Sequence, residues 1–329
     1  MLVTYLRSSS IGGYEWCEHS HWIGSNLGRS RAPGTAASVG SSVHKALELL
    51  AKQKQAWVNG EASIHEPEMG LTFPANTSPL DFLKPALDYY SEGAQWDDEA
   101  YERAQAWLTF TIEYDNGKYD PRKLDVVVPE QYFDLEIREP WAYYDYRLPD
   151  GTKLSGYLRI KGTVDLLTRV QPGLLHYIDW KTGKRNNWTT MQVKETPDLR
   201  KDPQFLMYYY ALRRLYPDDD IFFTVFFTRE GPFTLCFDDS HIQKSLDTLR
   251  FYFDKIRLNT SPRLAQDNAR QRWKCSRCSY SEDRMEGSDQ TICEFFRNQR
   301  VQLGMEKVFA RYGDVAGVSR YGSGGGRSG

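Results

Sequence analysis

Two short acidic segments flank a single turn: GTVD at 162–165 and IDWKTGK at 178–184, with Gln171, Pro172 and Gly173 between them. Each belongs to a strand-like run, KLSGYLRIKGTVDLLTRV before the turn and LLHYIDWKTG after it. A hairpin at the turn brings Asp165 and Asp179 toward the same end of neighbouring strands. Side chains alternate faces along a strand, so Asp179 and Lys181 share one face and Trp180 takes the other. This arrangement constrains the fold more than any other feature of the chain, because it fixes both a strand pairing and a place where charge must be accommodated.

Two carboxylates at one place can share a divalent cation. Hydrolysing a phosphodiester requires neutralising the phosphate, activating a water and stabilising the leaving oxygen. Magnesium or manganese held by carboxylates meets the first need. A lysine beside it orients or deprotonates the water and adds positive charge where the transition state is most negative. Taken singly, each aspartate ends a strand and the lysine is a solvated one. The joint pattern of Asp165, Asp179 and Lys181 is what points to chemistry.

The chain has 329 residues, enough for one large domain with or without a small appendage, and one elaborated domain is expected. A turn-rich opening runs to about Gly34. In AASVGSSVHKALELLAKQ, Val43, Leu47, Leu50 and Ala51 recur at helical spacing. Residues 60–80, with Pro67, Pro74 and Pro79, read as a long loop before helices near 80–91 and 97–112, together a helical insertion. VVVPEQYFDLEI then begins the strands. Asp202 and Pro203 supply an N-cap and first-turn pair for the helix PQFLMYYYALRRLYP. Strands IFFTVFFT and FTLCF follow, joined by the turn REGP, and a helix runs from about Ser240 to Ile256. This order predicts a mixed α/β or α+β domain, a sheet flanked by helices. The expected divisions are an N-terminal segment 1–34, a core 35–258 with its helical insertion at about 60–120, a cysteine-containing segment 259–310 and a flexible tail 311–329 ending in YGSGGGRSG. No internal repeat is evident.

An apolar fraction of 40% and a charged fraction of 26% suit an ordered soluble protein and exclude disorder throughout. The net charge of -2 means that any nucleic-acid contact must come from local patches. One patch spans 263–277, where Arg263, Arg270, Arg272, Lys274 and Arg277 surround Trp273 and only Asp267 opposes them. That mixture suits phosphates and a stacked base, and equally a solvated loop. Lys184 and Arg185, just past the acidic strand, are further candidates for DNA contact. The run 221–227 is broken by Thr224 and falls far short of the roughly 20 apolar residues a membrane helix needs. The opening MLVTYLRSSS lacks the features of a secretory signal, so a reducing cytoplasm is expected, the host's if a phage encodes the protein. No GxxxxGK[ST] sequence is present, so the chain carries no evident ATP motor.

At GTVD and IDWKTGK the chain resembles the PD-(D/E)xK nuclease superfamily, in particular its RecB-like branch, which includes CRISPR-associated and phage exonucleases. The resemblance implies a restriction-endonuclease-like central sheet flanked by helices. It also implies a metal-binding histidine on a helix, matched by His44 in GSSVHKALELL. A glutamine and a tyrosine four residues apart after the lysine strand are matched by Gln204 and Tyr208 in QFLMY, which helical geometry places on one face. The likeness spans roughly residues 34 to 216. Glu130, in VVVPEQYF, is a further candidate for an acidic neighbour of the site.

Of the five cysteines, Cys236 sits between Leu235 and Phe237 in a strand-like run, where burial as a small hydrophobe is expected. Cys275 and Cys278 form C-x2-C, a spacing that lets two thiolates reach one metal. RecB-like nucleases of the AddB and CRISPR-associated type hold a 4Fe-4S cluster with one cysteine before the core and three after it. Cys17 and the trio Cys275, Cys278 and Cys293 resemble that division, which would staple the two chain ends together. The gap before Cys293 is longer than the family's usual one. Structural zinc is the alternative, with His19 or His21 able to replace a cysteine.

The resemblance implies an Mg2+- or Mn2+-dependent exonuclease acting on single-stranded DNA or DNA ends, in recombination, repair or phage genome processing, with unwinding supplied by a helicase or recombinase partner. An endonuclease or nickase with the same residues, and a non-catalytic DNA-end scaffold, are the alternatives.

Overall fold

The computed structural model describes residues 1–29, 35–91, 96–186 and 192–314, with backbone alone at 35–37. The YGSGGGRSG tail lies outside the described residues. The chain forms two compact units that interleave along the sequence. One comprises Met1–Ala32, Phe133–Gly162 and His241–Gly329, the other Pro33–Tyr132 and Thr163–Ser240.

In chain order, β1 (Tyr5–Leu6) leads into α1 (Ser8–Trp16) and α2 (Glu18–Asn26). These two helices occupy the opening expected to be turn-rich. Their buried Ile11, Tyr14, Trp22 and Ile23 outweigh that local preference. Helix α3 (Thr35–Asn59) follows, with Val43, Leu47, Leu50 and Ala51 all buried as its spacing predicts. Fully burying each of the larger three contributes about 1.5–3 kcal/mol.

The expected loop at 60–80 contains a hairpin, β2 (Ser63–Glu66) and β3 (Leu71–Pro74), closed by Gly70 at φ 66°. Next come α4 (Leu83–Tyr90) and α5 (Asp98–Gly117), the latter capped by the Asp97 carboxylate on Ala100 N–H. Helical geometry stops at Tyr114, and Asp115 and Asn116 take left-handed φ values of 47° and 59°, a conformation these residue types tolerate.

The segment VVVPEQYFDLEI divides into β4 (Val126–Val128) and β5 (Gln131–Glu136), which join different sheets. Pro129 lies between them and has no N–H to continue a ladder. The chain goes on through β6 (Tyr143–Arg147), β7 (Lys153–Tyr157), β8 (Arg159–Val164), β9 (Leu166–Gln171), β10 (Leu174–Lys181), α6 (Thr196–Leu199), α7 (Pro203–Leu215), β11 (Asp220–Phe227) and β12 (Gly231–Cys236). It ends with α8 (Ser240–Arg257), α9 (Ser279–Glu282), α10 (Ile292–Leu303) and α11 (Met305–Tyr312).

The first unit holds the sheet β1-β8-β5, the β6–β7 hairpin and a small core in which Trp22, Ile23, Leu27, Cys278, Tyr280 and Phe296 pack together. The second is built on the sheet β12-β11-β10-β9-β4. Its pairs are antiparallel except β10 with β11, which run parallel. The mixed α/β class expected from the sequence is observed. Along β10, Ile178 and Trp180 enter the core made with α3, α4 and α5, while Tyr177 meets Tyr208 of α7. The central strand is therefore covered on both faces, and Asp179 and Lys181 share the face of Tyr177.

Candidate active site

The β9–β10 hairpin forms at the expected turn, with Gly173 at φ 79°. Its register pairs Leu166 with Ile178, so Asp165 stands one residue beyond that pair, toward Asp179. Oδ2 of Asp165 accepts the Trp180 backbone N–H at 2.8 Å, and His44 Nδ1 of α3 lies 3.5 Å from the same oxygen.

Asp179 is 1% exposed. Its Oδ1 accepts the Tyr177 hydroxyl at 2.8 Å and the Gln204 side-chain amide at 2.9 Å. Its Oδ2 lies 2.7 Å from Lys181 Nζ, a contact out of line for a hydrogen bond, and has no hydrogen-bond partner among the described residues. Gln204 and Tyr208 do lie on one face of α7, and the Asp202 carboxylate caps that helix on Gln204 N–H at 3.0 Å.

Burial and charge oppose one another at every one of these groups. Burial pushes the Asp179 carboxyl above the ordinary aspartate range despite Lys181, with Asp165 adding to the rise. Burial works the same way on Asp165, but the His44 imidazole and Lys181 outweigh it and hold Asp165 below its usual value. Dehydration disfavours a charged His44, yet Asp165 prevails and raises it. Lys181 is likewise held above the ordinary lysine range because Asp179 and Asp165 overcome its burial.

A cavity of about 360 Å³ is lined by His44 and Asp165 of this group together with Gly40, Trp180 and Thr182, and by Lys45, Glu48, Tyr90 and Glu130. Sequence reasoning missed Lys45, Glu48 and Tyr90 among the lining residues. Lys45, 3% exposed, lies 2.6 Å from Glu48 and 2.7 Å from Glu68, and Lys52 lies 2.5 Å from Glu48 and 2.6 Å from Glu66. Their signal was the run of alternating charge on α3 at i, i+3 and i+4 spacing. Glu130 stands at the rim, where crowding by protein and the neighbouring Glu48 carboxylate push it above the usual glutamate range.

A family model of the PD-(D/E)XK nuclease superfamily matches residues 8–282. The chain belongs to that superfamily. Among curated proteins no match was found. Among solved structures, a putative exonuclease from Eubacterium rectale aligns with a TM-score of 0.44 and 11% identity, over 89% of this chain and 92% of the other. A likeness of that degree carries no argument about shared activity.

PD-(D/E)XK nucleases generally use Mg2+ or Mn2+, and the donor set of this one fits such an ion. Two carboxylates come together beside an imidazole, and the buried Asp179 Oδ2 lacks a hydrogen-bond partner among the described residues. Among those residues no three or more His, Cys, Asp or Glu side chains are arranged to hold a metal ion as they stand. Magnesium does not require such a cage, since it keeps several waters and takes one or two carboxylates together with substrate phosphate.

The other expected residues fare differently. Lys274, expected to meet DNA, is 1% exposed, and its ammonium donates to the Trp16 carbonyl at 3.1 Å and the Glu15 carbonyl at 3.4 Å. It closes the end of α1 and cannot reach a phosphate. Arg185, expected in the same role, is committed to Glu230 at 2.9 Å, to the Lys194 carbonyl and to the Phe233 ring at 4.2 Å. Lys184 is exposed, as are Arg270 and Arg272, and half-buried Trp273 stands edge-on to Trp16 at 5.2 Å. Arg263 pairs with Glu18 at 2.6 Å.

Cys236, expected inside, is exposed: β12 is an edge strand, and Cys236 falls on the face opposite buried Leu235. Cys17, Cys275, Cys278 and Cys293 are free thiols in the first unit. Burial pushes Cys293 up to about 12, with Cys17, Cys278 and Cys275 adding to the rise, and Cys275 is raised by burial and then by Cys17 and Cys278. The four therefore share one neighbourhood without forming a finished cage. No described helix is long and apolar enough to cross a membrane.

Proposed function

We propose that this chain is an Mg2+- or Mn2+-dependent exonuclease of the RecB-like branch, acting on DNA, on single strands or at ends. The observation that carries the reading is the grouping of Asp165, Asp179 and Lys181 on the β9–β10 hairpin, with His44 beside Asp165 and these two lining one cavity.

Asp165 and Asp179 would hold the divalent ion, with His44 as a third donor. When bound, that ion supplies neutralisation of the phosphate charge and acidification of a water. Lys181, kept charged by the two carboxylates, orients the attacking water and opposes negative charge building on the phosphate. Gln204 holds Asp179 by one oxygen, and Tyr208 backs the same face. Arg270, Arg272, Trp273 and Lys184 would contact the DNA strand through phosphates and a stacked base.

Incubating the protein with end-labelled linear and with circular single strands, in Mn2+ or in EDTA, tests this. Loss of the linear substrate alone, only with metal, supports an exonuclease. Loss of both marks an endonuclease or nickase, and loss of neither marks a scaffold. Lys181→Ala is expected to abolish cleavage while DNA binding and folding persist, and near-normal cleavage by that variant removes the assigned role.

The family resemblance and the shared neighbourhood of the four thiols support a 4Fe-4S cluster on Cys17, Cys275, Cys278 and Cys293. Protein purified without oxygen is then brown and iron-rich, whereas colourless protein with stoichiometric zinc rejects the cluster. The resemblance supports a recombination, repair or phage genome-processing role in a cytoplasm, beside a helicase or recombinase that would supply unwinding.

A further inference from the structure

Among the described residues two hydrogen-bond donors meet on Oδ1 of Asp179, while Oδ2 has an ion-pair contact with Lys181 and no hydrogen-bond partner. Gln204 reaches Oδ1 from α7 through a flexible side chain, whereas Tyr177 reaches it from β10 itself, two residues upstream and on the same face. The Tyr177 ring is fully buried, set edge-on to Phe223 at 4.7 Å and tilted against Tyr208 at 5.9 Å. Its hydroxyl is consequently fixed by packing and by the strand.

A carboxylate bonded twice through one oxygen cannot rotate about its last torsion without breaking both bonds. The second oxygen, Oδ2, therefore keeps its direction, facing the Lys181 ammonium at 2.7 Å. Fixing the carboxylate without that ammonium leaves Lys181 able to turn to substrate when a cation takes its place against Oδ2.

We propose that Tyr177 is a positioning residue, its hydroxyl locking the Asp179 carboxylate so that Oδ2 is presented to the divalent ion. This rests on the metal-dependent reading of the site. Groups that orient metal ligands in this way typically contribute 10–100-fold to metal affinity.

The test is calorimetric titration of Mn2+ into metal-free full-length protein without DNA, comparing the unaltered chain with Tyr177→Phe, which keeps the ring and removes only the hydroxyl. The Kd for Mn2+ is expected to rise about tenfold. The Mn2+ concentration for half-maximal cleavage should rise by the same factor, with KM for DNA unchanged and kcat largely recovered at saturating Mn2+. A purely structural hydroxyl would lower the thermal midpoint and leave the Mn2+ titration where it was. An unchanged Kd in Tyr177→Phe overturns the positioning role alone. Absence of Mn2+ binding by the unaltered protein overturns the metal-dependent reading, and the role of Tyr177 with it.

Discussion

The backbone N–H of Trp180 donates to Oδ2 of Asp165 at 2.8 Å. Trp180 lies between Asp179 and Lys181, so the bond that anchors Asp165 also sets its position relative to both. Geometry and charge at this position can be separated. Asp165→Asn keeps the shape and an acceptor for Trp180, but removes the negative charge that His44 and Lys181 answer. Cleavage is expected to fall by roughly a hundredfold or more while the thermal midpoint holds, because the loss is of ion affinity rather than packing. Single-turnover cleavage beside thermal melts checks this, and a rate within a few fold of the parent would remove Asp165 from the ion's ligands.

Gly40 sets how closely α3 approaches Thr182, just past the end of β10, the strand of the candidate site. A Cβ there would lie 2.6 Å from Thr182 Oγ1, and Thr182 directly follows Lys181. Alanine is the better helix former by about 1 kcal/mol, but its methyl must displace a β-branched neighbour with little freedom to turn. Gly40→Ala is expected to cost about tenfold in kcat with little change in stability, since a displacement near 1 Å remote from the chemistry can cost more than that. Adding Thr182→Ala removes the obstructing hydroxyl and should restore most of the rate. No recovery in the double variant would place the damage elsewhere.

Lys274 supplies the opposite case, a cation that looked like a DNA contact and is an internal fastener. Lys274→Met keeps the aliphatic stem and removes the donors to the Glu15 and Trp16 carbonyls. Leaving such carbonyls without a donor costs about 1–3 kcal/mol. Chemical denaturation should register a loss of that order, with single-strand affinity unchanged, whereas Arg270→Ala and Arg272→Ala should weaken binding and flatten its salt dependence.

The strands of the candidate site were legible because their information is local. The turn at Gln171–Gly173 fixes the hairpin, strand alternation puts Asp179 and Lys181 on one face, and the Asp202–Pro203 pair starts the helix that delivers Gln204. Lys274 and Arg185 misled for the converse reason. A basic residue's exposure depends on distant partners, here the end of α1 and Glu230, which no window around 274 or 185 contains. The acidic partners of Lys45 and Lys52 were hidden for the same reason, since Glu66 and Glu68 come from a hairpin that the prolines at 67 and 74 disguised as a loop. Cys236 was misplaced because strand alternation alone does not reveal that β12 is an edge strand.

His176 gives this unit a pH response with a definite sign. Its Nε2 lies 2.8 Å from Thr224 Oγ1, and its ring stacks on Phe222 at 4.3 Å. Burial, with the Lys118 charge adding to it, lowers the imidazole from 6.5 to about 4. The folded protein thus keeps His176 neutral at a pH where the unfolded chain binds a proton. Its contribution to stability is complete above pH 6.5 and is lost as pH falls from there toward 4. That interval corresponds to roughly 3 kcal/mol at most. His176→Phe keeps the aromatic stack and gives up the Thr224 bond, at a cost of about 1 kcal/mol near neutrality, but has no imidazole to protonate. Denaturant midpoints at pH 7.5, 6 and 4.5 (roughly the top, middle and foot of the window) should show the parent ahead at neutrality and the variant gaining on it or passing it under acid. Parallel losses in the two proteins would mean that His176 titrates alike in the folded and unfolded chains.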